Sequence, residues 1–268
     1  MILDDIAAAA KKRVAAAKEK ISLNILRENI EAGRAPPHIS KSFQAALAMP
    51  GISFICEIKK ASPSKGIIAE NFPYLQIACE YESAGANAVS VLTEPDFFMG
   101  SDIYLRETAE KVHIPVLRKD FILDEYQLYE ARMMGARAAL LITALLDEKT
   151  LARFIKLAYS LTIDALVEAH DADEIQMALA AGAKIIGVNN RNLKTFAVDI
   201  NNSIRLRKFV PKEIIFVAES GINTAAHIKM LQQADVDAVL IGEAMMKSTD
   251  KAAYLAGLKG QMPSKSRL

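Results

Sequence analysis

The chain lacks tryptophan, has only two cysteines among its 268 residues and carries almost no net charge. Two cysteines are too few for a disulfide framework or a cysteine-rich metal site, so we expect Cys56 and Cys79 to act as small apolar residues in a reducing cytoplasm. The 33 basic and 32 acidic residues leave a formal charge of +1, which gives no general attraction to nucleic acid or to an anionic membrane. No apolar run has the length of a membrane span, and the N-terminus lacks the apolar core of a signal peptide.

Apolar runs that end in charged or otherwise polar residues are frequent. Eight of them cover 54–64, 88–94, 115–120, 138–143, 165–168, 185–191, 214–220 and 238–243. Helix-period segments lie between them at 74–84, 124–135, 147–159, 171–182 and 224–234, and several begin with Asp or Thr as candidate N-caps. Apolar strands that alternate with helices indicate a parallel sheet covered by helices. Eight units in a chain of this length predict a closed (β/α)8 TIM barrel.

The first 50 or so residues precede the first predicted strand and have a different pattern. Ile2, Ile6 and Val14 fall close to one helical face among alanines and basic residues, which predicts an amphipathic helix over 2–17. Two early aspartates argue against a transit peptide. We therefore predict one barrel domain over 1–268, in which residues 1–50 form an N-terminal helical extension.

The first predicted strand ends by placing Glu57 and Lys59 on one face, because side chains two apart on a strand point the same way. A carboxylate and an ammonium are costly to hold together at such a position unless a site uses both. For this segment alone, an ion pair at the protein surface is an equally good interpretation.

The carboxyl ends of the strands of such a barrel meet at one mouth, so the polar residues that end the runs belong to a single site. Charges in a concave site push pKa values apart, which leaves one group able to donate a proton and another able to accept one. Lys119 is the strongest candidate, because an unpaired lysine in its apolar surroundings would gain nothing for stability. Glu219 and Arg191 have a second interpretation, as groups that only brace the lysines. The residues placed at the mouth are Glu57, Lys59, Lys119, Glu168, Asn189, Arg191, Glu219 and Ser220.

Two glycine-containing turns predict a phosphate site. Ser220-Gly221 follows the seventh predicted strand, and Gly242 lies at the end of the eighth. In barrels of this class the loops after strands 7 and 8 commonly bind phosphate through backbone N–H groups. A Ser-Gly pair alone also marks ordinary turns, so its position in the strand order carries the prediction of a small phosphorylated substrate.

Several long motifs, in order along nearly the whole chain, closely resemble the indole-3-glycerol-phosphate synthase family of tryptophan biosynthesis. The N-terminal helical region is similar too, since members carry such a segment folded over the barrel mouth. A set of long motifs is far more specific than any single pattern. The motifs are Glu57-Ile-Lys59-Lys-Ala-Ser62-Pro63-Ser64, Leu92-Thr-Glu-Pro-Asp-Phe-Phe98-Met-Gly100-Ser101, Leu117-Arg-Lys119-Asp120-Phe121-Ile122, Val188-Asn189-Asn190-Arg191-Asn192-Leu193 and Ala218-Glu219-Ser220-Gly221-Ile222.

The resemblance implies a carboxy-lyase that converts 1-(2-carboxyphenylamino)-1-deoxyribulose 5-phosphate to indole-3-glycerol phosphate by ring closure, decarboxylation and dehydration, with no metal or organic cofactor. Attack of a ring carbon on a ketone requires a proton donor, and Lys119 matches the family's general acid. Lys59 and Glu168 match the acid and base of the dehydration, although the pattern does not settle which lysine acts in which step. Glu57 would position the lysines and the substrate hydroxyls.

The resemblance also assigns residues that hold the substrate. Asn189 matches a positioning residue, and Arg191 and Glu219 match charged residues that organise the site. Ser62 belongs to the same substrate-binding set, and Lys59 would add charge at the phosphate. An apolar wall for the anthranilate ring would be formed by Phe98, Phe121, Leu140 and Leu193, for which packing in the barrel core is the alternative.

Two other functions remain open at this point. Lys119 at a strand end could form a Schiff base, as in aldolase-like barrels. A phosphate-binding barrel could instead serve as a non-catalytic scaffold for another pathway enzyme, although the set Glu57, Lys59, Lys119 and Glu168 argues against that, because an unused site has no physical reason to keep four mutually desolvating charges. A weak association with other tryptophan-pathway enzymes is compatible with either enzymatic function.

Overall fold

A computed structural model describes residues 2–37, 40–192 and 195–260. Eight parallel strands form a closed barrel in which each strand pairs with its neighbours in the chain and the last pairs with the first. The predicted (β/α)8 barrel and its eight strands are confirmed. The strands are β1 Ser53–Ile58, β2 Ala88–Leu92, β3 Val116–Lys119, β4 Ala138–Ile142, β5 Asp164–Ala169, β6 Ile185–Asn189, β7 Ile215–Glu219 and β8 Ala238–Ile241.

Helices surround the barrel and precede it. Each of the five helix-period segments is a helix in the structure, and no pattern predicted the outer-layer helices Asp102–Lys111, Asn201–Leu206 and Lys251–Leu258. The first of these three buries only Leu105 and Thr108, and the second has six residues, too few to display a period. The helices are α1 Ile2–Lys20, α2 Leu23–Glu31, α3 Phe43–Leu47, α4 Tyr74–Ser83, α5 Pro95–Phe98, α6 Asp102–Lys111, α7 Glu125–Met133, α8 Glu148–Ser160, α9 Ala172–Ala180, α10 Asn201–Leu206, α11 Ala225–Gln233, α12 Glu243–Lys247 and α13 Lys251–Leu258.

Side-chain caps fix where the outer helices begin. Asp147 accepts a hydrogen bond from the backbone N–H of Thr150, and Asp171 accepts one from Glu174. Asp124 forms a reciprocal capping box with Gln127 at the start of α7. Each cap satisfies a helical N–H that has no partner within the helix, a contribution of about 1 kcal/mol. The candidate N-caps of the sequence are therefore real caps.

Alternation along the strands separates two apolar layers and continues into the site. The inward layer contains Ile55, Leu117, Leu166 and Val217, whereas the outward residues pack under the helices. The next inward position on each of these strands, two residues further on, holds a charged side chain. The barrel core therefore ends in a ring of charge at the carboxyl ends of the strands, which consists of Glu57, Lys119, Glu168 and Glu219.

The N-terminal segment forms the predicted helical extension. Helix α1 buries Ile6, Ala10 and Val14, and its Arg13 reaches the barrel mouth. Helix α3 lies at the opposite end, where Phe43 joins the inward apolar layer. None of the helices in the described residues has the length and hydropathy of a membrane span.

Gly100 provides a test of the tight turn after β2. A Cβ atom there would lie 2.5 Å from the carbonyl oxygen of Leu92 and 2.8 Å from that of Glu94, and backbone atoms cannot move aside cheaply. We expect Gly100→Ala to lower the free energy of unfolding by about 2 kcal/mol or more. Gly257→Ala in α13 is the matched control, since its Cβ would meet nothing within 4 Å and a helical alanine stabilises by about 0.5–1 kcal/mol. Urea unfolding measures both, and equal midpoints for the two variants would contradict the packing described.

Candidate active site

A cavity of about 760 Å³ opens at the carboxyl ends of the strands, a volume within the usual range for small-molecule sites. Helix α1 covers part of it through Ile2, Leu3 and Ile6. The cavity brings together the predicted site residues, with the exception of Leu193, which lies outside the described residues. Those that line it are Glu57, Lys59, Ser62, Phe98, Lys119, Phe121, Leu140, Glu168, Asn189, Arg191, Glu219, Ser220, Gly221 and Gly242.

Lys119 is held between two buried carboxylates. Its Nζ lies 3.2 Å from Glu168 Oε2 and 3.5 Å from Glu219 Oε2. Burial works against the ammonium form, but the surrounding carboxylates, led by Glu168 and Glu219, outweigh it and raise the pKa of Lys119 above its usual range. The side chain is therefore a protonated ammonium at neutral pH, as a general acid must be.

Glu168 is ionised for the complementary reason. Its Oε1 accepts a hydrogen bond of 3.3 Å from Asn189 Nδ2, and His170 Nε2 lies 3.3 Å from the same oxygen. Burial favours the neutral acid, but Lys119 and His170 outweigh it and hold the pKa of Glu168 below its usual range. A carboxylate that stays ionised can accept a proton at neutral pH.

Glu219 differs from Glu168 although both face the same lysine. Burial raises the pKa of Glu219, and Lys119 only partly offsets that rise because Glu168 repels a second negative charge. Its Oε1 is buried without a hydrogen-bond partner among the described residues. A Cβ at Gly187 would lie 2.2 Å from that oxygen, so glycine on β6 makes room for the carboxylate. The bracing interpretation therefore fits the contact that Glu219 makes with Lys119.

Glu57 and Lys59 form the second charged pair of the mouth, with 2.5 Å between Oε1 and Nζ. The pair lies over Gly242, where a Cβ would come within 2.4 Å of Glu57 Oε1 and 3.1 Å of Lys59 Nζ. Gly242 thus has a structural reason to be glycine besides the one that the sequence suggested. Lys59 also comes close to the loop after β8, where a phosphate is expected.

Arg191 contacts backbone and amide groups instead of the carboxylates. Its backbone N–H donates to Asn189 Oδ1 at 3.0 Å, and its Nη1 donates to the carbonyl oxygen of Phe196 at 3.3 Å. These bonds order the segment after β6. Of the two residues that the sequence left as braces of the lysines, Glu219 contacts Lys119, whereas Arg191 organises a loop.

One wall of the cavity is apolar and is tied to the N-terminal helix. The rings of Phe98 and Phe121 have their centroids 5.9 Å apart, and Leu140 is buried beside the barrel core. Glu94 accepts hydrogen bonds from the backbone N–H groups at the start of α5, which carries Phe98. Arg13 of α1 contacts Glu94 Oε1 at 3.0 Å, so the helix over the mouth and the aromatic wall share one carboxylate.

The opposite end of the cavity has the geometry of a sharp turn. Ser220 and Gly221 have φ values of 69° and 78°, two consecutive left-handed residues directly after β7. A Cβ at Gly221 would lie 2.3 Å from Val198 Cγ1. Lys59, Lys65 and Lys247 line the cavity close to Glu243, which follows Gly242, so three cations and one carboxylate make this the basic side of the cavity.

The sequence patterns missed two groups that support the site. Arg13 looked like one of many basic residues on an exposed helix, yet it also contacts Asp120 Oδ1 at 2.8 Å, next to Lys119. No periodic signal identifies such a contact between distant segments. His170 could have been found, because it stands two residues after Glu168 and strand alternation places both on one face. Among the described residues, no group of His, Cys, Asp and Glu is arranged to hold a metal ion.

Solved structures with similar folds are found at low sequence identity. A 3-hexulose-6-phosphate synthase covers 79% of this chain and 100% of its own at a TM-score of 0.63 and 17% identity. The same enzyme from Salmonella typhimurium covers 78% and 97% at a TM-score of 0.64 and 15% identity. At such identities the likeness supports the barrel fold alone.

Sequence comparison is far more specific. An indole-3-glycerol phosphate synthase of Ruminiclostridium cellulolyticum is 55% identical over 260 residues, which are 97% of this chain and 99% of that protein. Another, of Endomicrobium trichonymphae, is 54% identical over 259 residues, with 97% and 100% covered. The sequence model of the family described as indole-3-glycerol phosphate synthase matches residues 3–258. With the motifs of the mouth and the closed barrel, these matches place the chain in the indole-3-glycerol phosphate synthase family.

Proposed function

We propose that the chain is a carboxy-lyase that converts 1-(2-carboxyphenylamino)-1-deoxyribulose 5-phosphate to indole-3-glycerol phosphate, CO2 and water. The observation that carries the proposal is the Lys119 ammonium, held by Glu168 and Glu219 between an apolar wall and a basic, glycine-containing end of one cavity. The substrate has a matching order of parts: an aromatic ring, a ketone and a phosphate. Family membership supports the same assignment.

The cavity walls suggest how the substrate lies. The anthranilate ring would pack on Phe98 and Phe121, with Leu140 behind them, and the predicted wall residue Leu193 would complete that side. The phosphate would bind the backbone amides near Ser220-Gly221 and Gly242, with the charge of Lys59 nearby, while Ser62 and Arg191 would contact the substrate between its two ends. The ketone then comes next to Lys119.

Ring closure requires a proton at the ketone oxygen. When the ring carbon attacks the carbonyl carbon, the C=O electron pair moves to oxygen, and Lys119 donates a proton to the developing alkoxide. An alkoxide is more basic than an amine, so even a lysine of raised pKa is a competent donor. The carboxylate then leaves as CO2, and its bonding electrons restore the aromatic ring.

Dehydration completes the indole. Lys59 donates a proton to the departing hydroxyl, and Glu168 removes one from the adjacent carbon, so that water leaves and a double bond forms. Glu57 holds Lys59 through the 2.5 Å contact, and Asn189 holds Glu168. Lys119 and Lys59 each donate one proton, and Glu168 accepts one. The net uptake of one proton by the substrate matches the one proton that loss of a carboxylate as CO2 consumes.

The charge state of Lys119 weighs against the Schiff-base alternative. A lysine that attacks a carbonyl must be a neutral amine, which active sites obtain by lowering its pKa. Here the neighbouring carboxylates act in the opposite direction and raise the pKa of Lys119. The scaffold alternative is weakened by burial of Glu57, Glu168 and Glu219 beside the lysines, because buried charges without a function are costly.

The direct test is to supply the carboxyphenylamino substrate and follow indole fluorescence. The chain contains no tryptophan, so the protein contributes no indole signal of its own. We expect fluorescence to grow with turnover and borohydride to trap no covalent adduct. A trapped adduct on Lys119 would favour the aldolase-like alternative, and absence of any product would favour the scaffold.

We further infer a cytoplasmic enzyme that consists of a single barrel domain over 1–268, with residues 1–50 as its helical extension. The near-neutral net charge and the free cysteines Cys56 and Cys79 support this setting. Any association with other enzymes of tryptophan biosynthesis would be weak, and sedimentation of mixtures of the purified enzymes would detect it.

Lys119→Ala removes the proposed proton donor. We expect turnover to fall by a factor of about 10² to 10⁴, while the dissociation constant for indole-3-glycerol phosphate changes little. Lys212→Ala is the control, since that lysine side chain is 88% exposed and precedes β7, at the end of the strand opposite the cavity. A Lys119→Ala enzyme that keeps more than about a tenth of the parent turnover, a loss below the range for general acids, would remove this assignment.

Glu168→Gln removes the proposed base but keeps its shape and its hydrogen bond to Asn189. We expect turnover to fall much more than product binding, because the lost interaction acts in the transition state. Parallel measurements of turnover and of the product dissociation constant make the comparison. Equal losses in the two quantities would indicate that Glu168 only positions the substrate.

Gly221→Val tests the phosphate end. The substitution strains a left-handed residue and collides with Val198, so the loop amides must shift. We expect binding of the phosphorylated substrate to weaken by about tenfold or more, roughly 1.4 kcal/mol. Gly182→Val is the matched control, because that glycine also has a positive φ of 86° but its Cβ would meet nothing within 4 Å. If inorganic phosphate competes equally well in the parent and in Gly221→Val, the phosphate lies elsewhere.

A further inference from the structure

His170 is a second cation beside Glu168. It follows the end of β5 and is largely buried, with 17% of its side chain exposed. Its Nε2 lies 3.3 Å from Glu168 Oε1, the oxygen that faces away from Lys119. The contact does not meet hydrogen-bond geometry, and it is an ion pair when the imidazole is protonated. Glu168 is therefore flanked by one cation at each carboxylate oxygen.

A network behind His170 fixes its position. Glu174, on the first turn of α9, contacts His170 Nδ1 at 2.9 Å, and its Oε2 also accepts the backbone N–H of His170 at 2.8 Å. Thr143 Oγ1 lies 2.7 Å from the same carboxylate and 2.9 Å from the carbonyl oxygen of Glu168, and its single O–H donates to one of these two acceptors at a time. One carboxylate thus orients the imidazole and ties it to the strand that carries Glu168.

These contacts set the charge of the imidazole. Burial works against its protonation, but Glu168 and Glu174 outweigh it and raise the pKa of His170 to about 10. The groups that face Glu168 come from several strands: Lys119 on β3, Asn189 on β6, Glu219 on β7 and His170 after β5. Glu57 on β1 adds negative charge at Lys119 and Glu219. Only Lys119 and His170 in this set are cations.

We propose that His170 is a positioning residue that keeps Glu168 ionised and oriented throughout the reaction, including the interval in which Lys119 has given up its proton. The inference rests on the proposed function. Once Lys119 is a neutral amine, it no longer offsets the burial of Glu168, and a protonated Glu168 could not act as the base of dehydration. His170 supplies a positive charge that the first proton transfer does not remove.

The test compares pH profiles of kcat for the parent, His170→Gln and His170→Lys, with saturating carboxyphenylamino substrate, because kcat reports the ionisation of groups in the enzyme–substrate complex. An opposite charge within this distance shifts a carboxyl pKa by about 1–3 units, so the acid limb of His170→Gln should move up by that amount. The activity gap to the parent should therefore widen as the pH falls through this limb, up to a factor of about 10 to 10³ for such a shift. His170→Lys retains a cation and should restore the parental acid limb.

Two further variants separate charge from structure. Glu174→Gln weakens the charge of His170 and should move the acid limb in the same direction by a smaller amount. His113→Gln is the matched control, because its side chain is 78% exposed beside Glu82, and it should leave the profile unchanged. Circular dichroism at each pH ensures that the compared proteins are folded.

Each outcome is decisive for His170. A His170→Gln profile with the parental acid limb overturns the proposal, as does an equal loss in His170→Gln and His170→Lys at all pH values, which indicates a purely structural role. Inactivity of the parent enzyme with this substrate would instead overturn the proposed function. Restoration by lysine but not by glutamine supports the proposal.

Discussion

The mouth of this barrel depends on one buried ammonium that faces two carboxylates. The attraction between Lys119 and Glu168 across 3.2 Å amounts to about 5 kcal/mol at an effective dielectric constant near 20. Removal of each ion from water costs several kcal/mol, so three buried ions together contribute little to stability. What the arrangement does provide is a separation of proton affinities: Lys119 stays protonated, Glu168 stays ionised and Glu219 lies between them.

The barrel makes this arrangement possible through alternation and through glycine. On four strands the inward positions are apolar deep in the barrel and become charged at the carboxyl end, so the charges lie on a rigid apolar base. Gly187 and Gly242 leave space for carboxylates whose oxygens would otherwise collide with a Cβ. Gly187 on β6 lies against Glu219 of β7, and Gly242 after β8 lies against Glu57 of β1. The site therefore requires the neighbouring strands of the closed barrel as well as the charged residues themselves.

The fold and most of the site could be predicted from the sequence because both follow short-range rules. Apolar runs with polar ends identified Glu57, Lys119, Glu168 and Glu219, and helix-period segments predicted five helices of the outer layer. Contacts between distant segments follow no such rule: Arg13 meets Glu94 and Asp120 across 81 and 107 residues. Strand alternation places His170 on the same face as Glu168. His170 nevertheless follows the apolar run 165–168, so the polar residues that end such runs did not include it.

The protonation state of Lys119 is the property on which the proposed chemistry depends most directly. NMR of ¹⁵N-lysine-labelled protein can follow its Nζ through a pH titration, with Lys119→Arg to assign the signal. We expect Lys119 to keep its proton at pH 10.5, the ordinary lysine pKa, and we expect Glu168→Gln to lower the pKa of Lys119 because the nearest carboxylate is lost. Titration of Lys119 at or below the ordinary value in the parent protein would contradict the proposed role of its ammonium.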